Sequence, residues 1–161
     1  MTRRTPVEDR DWLVLSKGHA GPVLTPLWPD GLLSHGGSLY LNHPHTKFPS
    51  HTDRKLTPGV DLTTGSLGQG ASTATGAALG NKIDGRDSHV FCVIGDGEAD
   101  EGQVWEAFHF AYAHKLDNII YFIDNNGYQL DGPTADILDH ATLPRRRNPS
   151  ACIPRRSTAM M

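Results

Sequence analysis

The chain has 161 residues and a formal charge of −3, enough for one domain that buries about 70 % of its unfolded surface, with no positive field to draw nucleic acid or an anionic membrane. No stretch approaches the ~18 consecutive apolar residues of a membrane span, and Met1 to Arg10 carries charge without the apolar core of a secretion signal. A cytoplasmic protein with neither nucleic acid nor membrane as partner is expected. Its two cysteines, Cys92 in an apolar run and Cys152 among prolines and arginines, do not suggest a disulfide framework.

Residues 1–11 read as a lead-in and residues 12–140 as the domain. Thr25 to His51 mixes Pro26, Pro29, Pro44 and Pro49 with Gly31, Gly36 and Gly37, a composition that interrupts helices, and is expected to be mostly irregular. Ser66 to Gly80 is rich in alanine and other small residues; it predicts a closely packing helix, with Gly80-Asn81 as a stop and Asp84-Gly85 as a turn. His89 to Ile94 (HVFCVI) is a continuous apolar run of the kind expected of a strand buried on both faces. Glu101 to Leu116 places Val104, Ala107, Phe108, Ala111, Tyr112 and Leu116 on one helical face. Asn118 to Ile123 (NIIYFI) is a second strand, closed by Asp124-Asn125-Asn126-Gly127. From Pro144 the chain holds five arginines and three prolines, so residues 141–161 read as a disordered tail and not as a nucleic-acid patch.

Strand, helix, strand predicts an α/β fold with a parallel sheet flanked by helices. Parallel strands joined by a crossover end on the same edge of the sheet, where such folds bind ligands. Gly95-Asp96-Gly97 and Asn125-Asn126, with 27 residues between them, should therefore meet in space. Two glycines and a helix amino terminus suit phosphate oxygens. Asp96, Glu98, Asp100 and Glu101, however, put four carboxylates in six residues. Two unit charges 4 Å apart repel by roughly 4 kcal/mol at an effective dielectric of 20, against ~0.3–1 kcal/mol from a helix end. A bare phosphate would be rejected, whereas a hard divalent cation, most simply Mg2+, would bridge these oxygens to a diphosphate. Gly65 to Gly70 (GSLGQG) has neither the Lys-Ser/Thr ending of a P-loop nor the order of a dinucleotide fingerprint.

Asp96 in its GDG and Asn126 in its NN stand at the spacing of the thiamine diphosphate motif. Longer strings are more specific: LSKGHA at Leu15 to Ala20, PGVDLTTGSLGQG at Pro58 to Gly70, GDGEADEGQVWEA at Gly95 to Ala107, and HKLDNIIYFIDNNGYQLDG at His114 to Gly132. Together they resemble transketolases, most of all the separately encoded amino-terminal subunit of split bacterial transketolases. Synthases and 2-oxo acid dehydrogenases share the GDG and NN, but the Gly65 to Gly70 and Gly95 to Ala107 strings favour the transketolase likeness.

The resemblance implies thiamine diphosphate and Mg2+ as cofactors. It makes Asp96, the Asn126 side chain and the Tyr128 carbonyl the metal ligands, and gives the Gly97 N–H to the diphosphate. His19 matches a histidine contacting the diphosphate, Gly65, Ser66 and Leu67 a turn against the cofactor, His51 a histidine near the reacting carbon and the substrate, and Glu101 a glutamate linking two active sites across a subunit interface. His19 and His51 are the histidines expected at the site. The others read as surface or packing residues, and a zinc set from His43, His45 and His51 lacks cysteine or carboxylate support. Trp105 and Tyr112 read as packing or dimer contacts. The implied partners are sugar phosphates and a carboxy-terminal transketolase subunit carrying the pyrimidine-binding domain, in a homodimer or heterotetramer. The family's pattern extends before Leu15 and past Ala141, so the thiamine diphosphate-binding fold is expected to be incomplete, and a non-catalytic remnant is the competing expectation.

Overall fold

Trp12–Leu15 forms strand β1, Val90–Gly95 β2 and Ile119–Asp124 β3, in a sheet of order β1-β2-β3. The structure, a computed structural model, describes residues 10–24, 41–57 and 59–138. Both strand pairs are parallel, with Trp12 beside Val90, Val90 beside Ile119 and Gly95 beside Asp124. All three carboxyl ends therefore share one edge. The expected α/β architecture is present, with β1 as a strand that the apolar patterning did not reveal.

Helices α1 (Gln69–Ile83) and α2 (Gly102–Ala113) cover one face of the sheet. Val14, Val90, Cys92, Ile94, Ile119 and Tyr121 alternate toward Ala71, Ala74, Ala78, Val104, Ala107 and Ala111. The alanines let α1 lie close: a Cβ on Gly70 would sit 2.5 Å from Ser16 Cα. A 2.5 Å contact between the Thr75 and Tyr121 hydroxyls joins α1 to β3 inside this layer.

The second face corrects the expectation of strands buried on both sides. Burial alternates along β2 and the start of β3, leaving Phe91, Val93 and Ile120 half-buried and Phe122 exposed, with the Phe91 and Phe122 rings stacked 6.3 Å apart. A continuous apolar run makes burial of both faces possible, but among the described residues helices cover only one.

Of the segment expected to be irregular, residues 25–40 and the tail 141–161 lie outside the described residues. Residues 41–51 are turns and bends. There the Asn42 carboxamide accepts the Ser50 N–H at 2.7 Å, and the Thr57 hydroxyl bonds the Lys47 carbonyl at 2.6 Å. After β3 the chain makes a short hairpin of β4 (Tyr128–Gln129) and β5 (Gly132–Pro133), followed by one turn of helix, α3 (Thr134–Ile137).

The two long helices stop by the same device. In α1 the Gly85 N–H donates to the Lys82 carbonyl and the Arg86 N–H to Asn81; in α2 the Lys115 N–H donates to Tyr112 and the Leu116 N–H to Ala111. This pair of bonds needs a left-handed residue just past the helix, supplied by Gly85 at φ 68° and Lys115 at φ 51°. The α1 stop therefore falls one turn beyond Gly80-Asn81. Gly85→Ala, with nothing within 4 Å of the added methyl, should cost about 1 kcal/mol, and Lys115→Gly should stabilise by up to about 1 kcal/mol. Urea denaturation midpoints check both; a shift of the same sign in the two variants would contradict this reading.

Candidate functional site

Each strand delivers a different group to the common edge. Beyond β1, Ser16 and Lys17 are buried and Gly18–Leu24 winds into a 3-10 helix carrying His19, which is exposed. A Cβ on Gly18 would lie 2.9 Å from Gly65 Cα, and one on Gly65 would meet the His51 ring at 3.4 Å. Gly18, Gly65 and His51 thus stack, which brings the 16–19 string, the 65–67 turn and the exposed His51 together. Thr64 anchors that turn, its hydroxyl bonding the Leu15 carbonyl and the Thr52 hydroxyl, each at 2.6 Å. Ser66 and Leu67 are exposed just before α1.

At the end of β2, Asp96 is 1 % exposed. Its Oδ1 accepts the Gly97 N–H at 3.0 Å and its Oδ2 the Gly127 N–H at 2.7 Å. The second bond docks Asp96 on the turn that follows β3, between Asn126 and Tyr128. Within that turn Asn126 Oδ1 accepts the Tyr128 N–H at 2.9 Å. Asp96 is therefore brought to the turn of Asn126 and Tyr128, its partner there, Gly127, being 31 residues away in sequence. Gly97 backs onto Gln129, whose Cβ would lie 2.6 Å from any Cβ placed there. No hydrogen bond among the described residues joins His19, His51, Ser66 or Leu67 directly to this second group.

Glu98 makes the connection. It is 3 % exposed, and its carboxylate accepts three donors: the Ser16 hydroxyl and the Gly68 N–H (2.9 Å) on Oε1, and the Gly95 N–H (3.1 Å) on Oε2. One side chain ties the ends of β1 and β2 to the residue before α1. Gly68, at φ 80°, is wedged against Glu101 and Gln103, which seats the exposed Glu101 beside the start of α1. Burial, and to a lesser degree the Glu98 charge, pushes the Cys92 thiol up.

This geometry revises the carboxylate argument made from the sequence. The four acidic residues do not form one negative cluster, because Glu98 points inward to backbone donors and Glu101 sits exposed at the start of α2. A cation is present as well: Lys17 Nζ reaches Asp124 Oδ2 at 2.6 Å, and that hydrogen bond chiefly holds the Asp124 carboxyl below the usual carboxylate range. Of the acidic residues, Asp96 is the one placed at the Asn126–Tyr128 turn. Its carboxylate, the Asn126 carboxamide oxygen and a main-chain carbonyl are hard oxygen donors of the kind that suit Mg2+. Among the described residues no group of three histidine, cysteine or acidic side chains could hold a metal.

The family model "Transketolase, thiamine diphosphate binding domain" matches residues 3–149. The chain belongs to this family. A 6-deoxy-6-sulfo-D-fructose transketolase subunit of a Clostridium species is 48 % identical over 135 residues, 80 % of this chain and 47 % of that subunit. One of the apulose-4-phosphate transketolase subunits of Actinobacillus succinogenes is 40 % identical over 131 residues, 81 % of this chain and 48 % of the relative. The chain thus spans about half the length of these split-subunit relatives. Among solved structures, a transketolase from Campylobacter jejuni superposes with a TM-score of 0.78 at 31 % identity, over 88 % of this chain and 24 % of that one.

The transketolase-like strings pointed to the edge but not to the residues that brace it. Ser16 and Lys17 lie inside LSKGHA, and Glu98 inside the acidic run, yet their partners are 82 and 107 residues away for Ser16 and Lys17. Glu98→Ala would strand three buried donors and should cost about 3 kcal/mol or more, whereas Glu98→Gln, which keeps one acceptor, should cost about 2 kcal/mol. Chemical denaturation measures both, and a loss under about 0.5 kcal/mol, the scale of an ordinary surface change, would show that Glu98 does not brace the edge.

Proposed function

We propose that this chain is the diphosphate- and magnesium-binding part of a transketolase. Completed by a chain with a pyrimidine-binding domain, it serves the transfer of a two-carbon ketol unit from a ketose phosphate to an aldose phosphate. The observation that carries the reading is Asp96: a carboxylate at 1 % exposure, held by two backbone N–H groups at the turn bearing Asn126 and Tyr128, with no basic side chain paired to it among the described residues. A buried charge without a countercharge is costly, and a divalent cation at this turn would supply one.

In this reading Asp96, the Asn126 carboxamide oxygen and the Tyr128 carbonyl would hold Mg2+, and the Gly97 N–H, which donates to Asp96 Oδ1 in the ligand-free chain, would serve the diphosphate. By family likeness His19 and the Gly65-Ser66-Leu67 turn would contact the cofactor, and His51, stacked on Gly65, would serve its reacting end and the substrate. Thiamine diphosphate when bound supplies the nucleophilic carbon for the transfer. The protein's own contribution is to anchor and orient. Histidines, whose intrinsic pKa is near neutral, are suited to move protons and hydrogen-bond sugar hydroxyls there. By family likeness Glu101, exposed at the start of α2, would link two active sites across a subunit interface in a homodimer or a heterotetramer. The glutamate that activates the cofactor's aminopyrimidine comes, by family likeness, from the partner. No helix among the described residues is long and apolar enough to cross a membrane.

Two expectations follow. Asp96→Ala and Asn126→Ala should each weaken Mg2+-dependent thiamine diphosphate binding at least about 10-fold; unchanged affinity in calorimetry, or equal binding with chelator present, contradicts the metal assignment. The purified chain alone, saturated with both cofactors, should show no ketol transfer in a coupled assay, and adding an intact carboxy-terminal transketolase subunit should restore it. Turnover by the chain alone contradicts the division of labour, and failure to restore it favours a cofactor-binding chain without turnover.

A further inference from the structure

Lys17 is a buried lysine that does not reach for the nearest strand. From the end of β1 its side chain passes over Gly95, whose added Cβ would lie 3.9 Å from Lys17 Cβ, and pairs with Asp124 at the end of β3. β2 separates those two strands, so the bridge spans the whole edge. Burying an ammonium group is costly unless it is paired, and its partner Asp124 is itself exposed. A bridge of this kind adds little stability, because the desolvation of the lysine offsets the attraction. What the bridge does locally is fix the Asp124 carboxylate, and Asp124 Oδ2 has a second neighbour: the Asn126 carboxamide nitrogen, at a longer 3.4 Å.

The two ends of the Asn126 carboxamide are thereby told apart. Its nitrogen faces the carboxylate of Asp124, while its oxygen faces the Tyr128 N–H at 2.9 Å, on the turn where Asp96 docks. A flipped carboxamide would set oxygen against carboxylate and N–H against N–H, two repulsive contacts in place of two attractive ones. The oxygen keeps a second lone pair for another partner. We propose that Lys17 and Asp124 are positioning residues for Asn126, locking its carboxamide with the oxygen toward the metal-binding turn. This inference rests on the reading of that turn as a Mg2+ site.

The test is a double-mutant cycle on the full chain, read as the Mg2+ concentration that half-saturates thiamine diphosphate binding in calorimetry, with circular dichroism of every variant. Asp124→Ala should weaken the Mg2+ dependence about 10-fold, as loss of a ligand-orienting partner does. In an Asn126→Ala background the same substitution should change it less than about twofold, because a residue acting through Asn126 has nothing left to orient. Asp124→Asn, which retains an acceptor oxygen, should recover most of the loss, and Lys17→Met should weaken binding in the wild-type background but not on top of Asp124→Ala. Equal losses from Asp124→Ala in both backgrounds would mean a general structural role and would overturn the proposal. So would wild-type affinity in Asp124→Ala when Asn126→Ala is impaired, which leaves the Mg2+ site itself standing. If Asp96→Ala and Asn126→Ala both bind as the wild type does, or the wild type shows no Mg2+-dependent binding, the site reading fails and the positioning role fails with it.

Discussion

Three segments that are far apart in the chain converge on the carboxylate of Glu98: the end of β1 at Ser16, the residue before α1 at Gly68, and the end of β2 at Gly95. Parallel strands leave their terminal backbone groups unpaired at the carboxyl edge, and a helix leaves its first N–H groups unpaired at its amino end. Here both kinds of orphan are brought to one acceptor. The cost of burying the Glu98 charge is met by three donors, and donors without an acceptor would cost about 1–3 kcal/mol each. The edge is therefore built as a unit, with Gly65 to Leu67 and Gly95 to Gly97 held relative to each other before any ligand arrives.

The same edge shows why small residues recur at particular positions. Gly18 touches Gly65, Gly70 touches Ser16, and Gly97 touches Gln129, each at a distance that a Cβ would violate. Neighbouring segments have to approach closely where three loops crowd above a sheet that is three strands wide among the described residues. Charge is handled residue by residue. Glu98 is satisfied internally, Asp124 is matched by Lys17, and Asp96 is held by N–H groups alone among the described residues. That asymmetry singles out Asp96 as the carboxylate at which a cation would gain most.

Much of this was legible in the sequence, but unevenly. The apolar runs around Cys92 and Tyr121 and the helical face from Val104 to Ala111 identified two strands and a crossover helix, because side-chain period and burial are local properties. Juxtaposition of Asp96 with Asn126 followed from topology. Strand β1 was missed because Trp12–Leu15 is four residues of a kind that fits many contexts. Glu98 counts in the sequence as one of four carboxylates at the ligand edge, because sequence gives no sign of which carboxylate turns inward; that depends on where Ser16 and Gly68 lie. Cover for the Phe91 and Phe122 face was over-read from hydrophobicity alone. The transketolase likeness named site residues that no periodicity could supply, and it was silent on the residues that brace them.

The central claim is that the ligand-binding edge is preformed in the chain and held by Glu98. Amide hydrogen exchange on the ligand-free chain tests it most directly, because the Gly68 and Gly95 N–H groups both end on that carboxylate. Their exchange should be slowed to within about tenfold of the Cys92 amide in the core of the sheet, and both should speed up together in Glu98→Ala, which removes both acceptor oxygens. Exchange of either amide at the rate of an open loop in the unsubstituted chain would contradict the account.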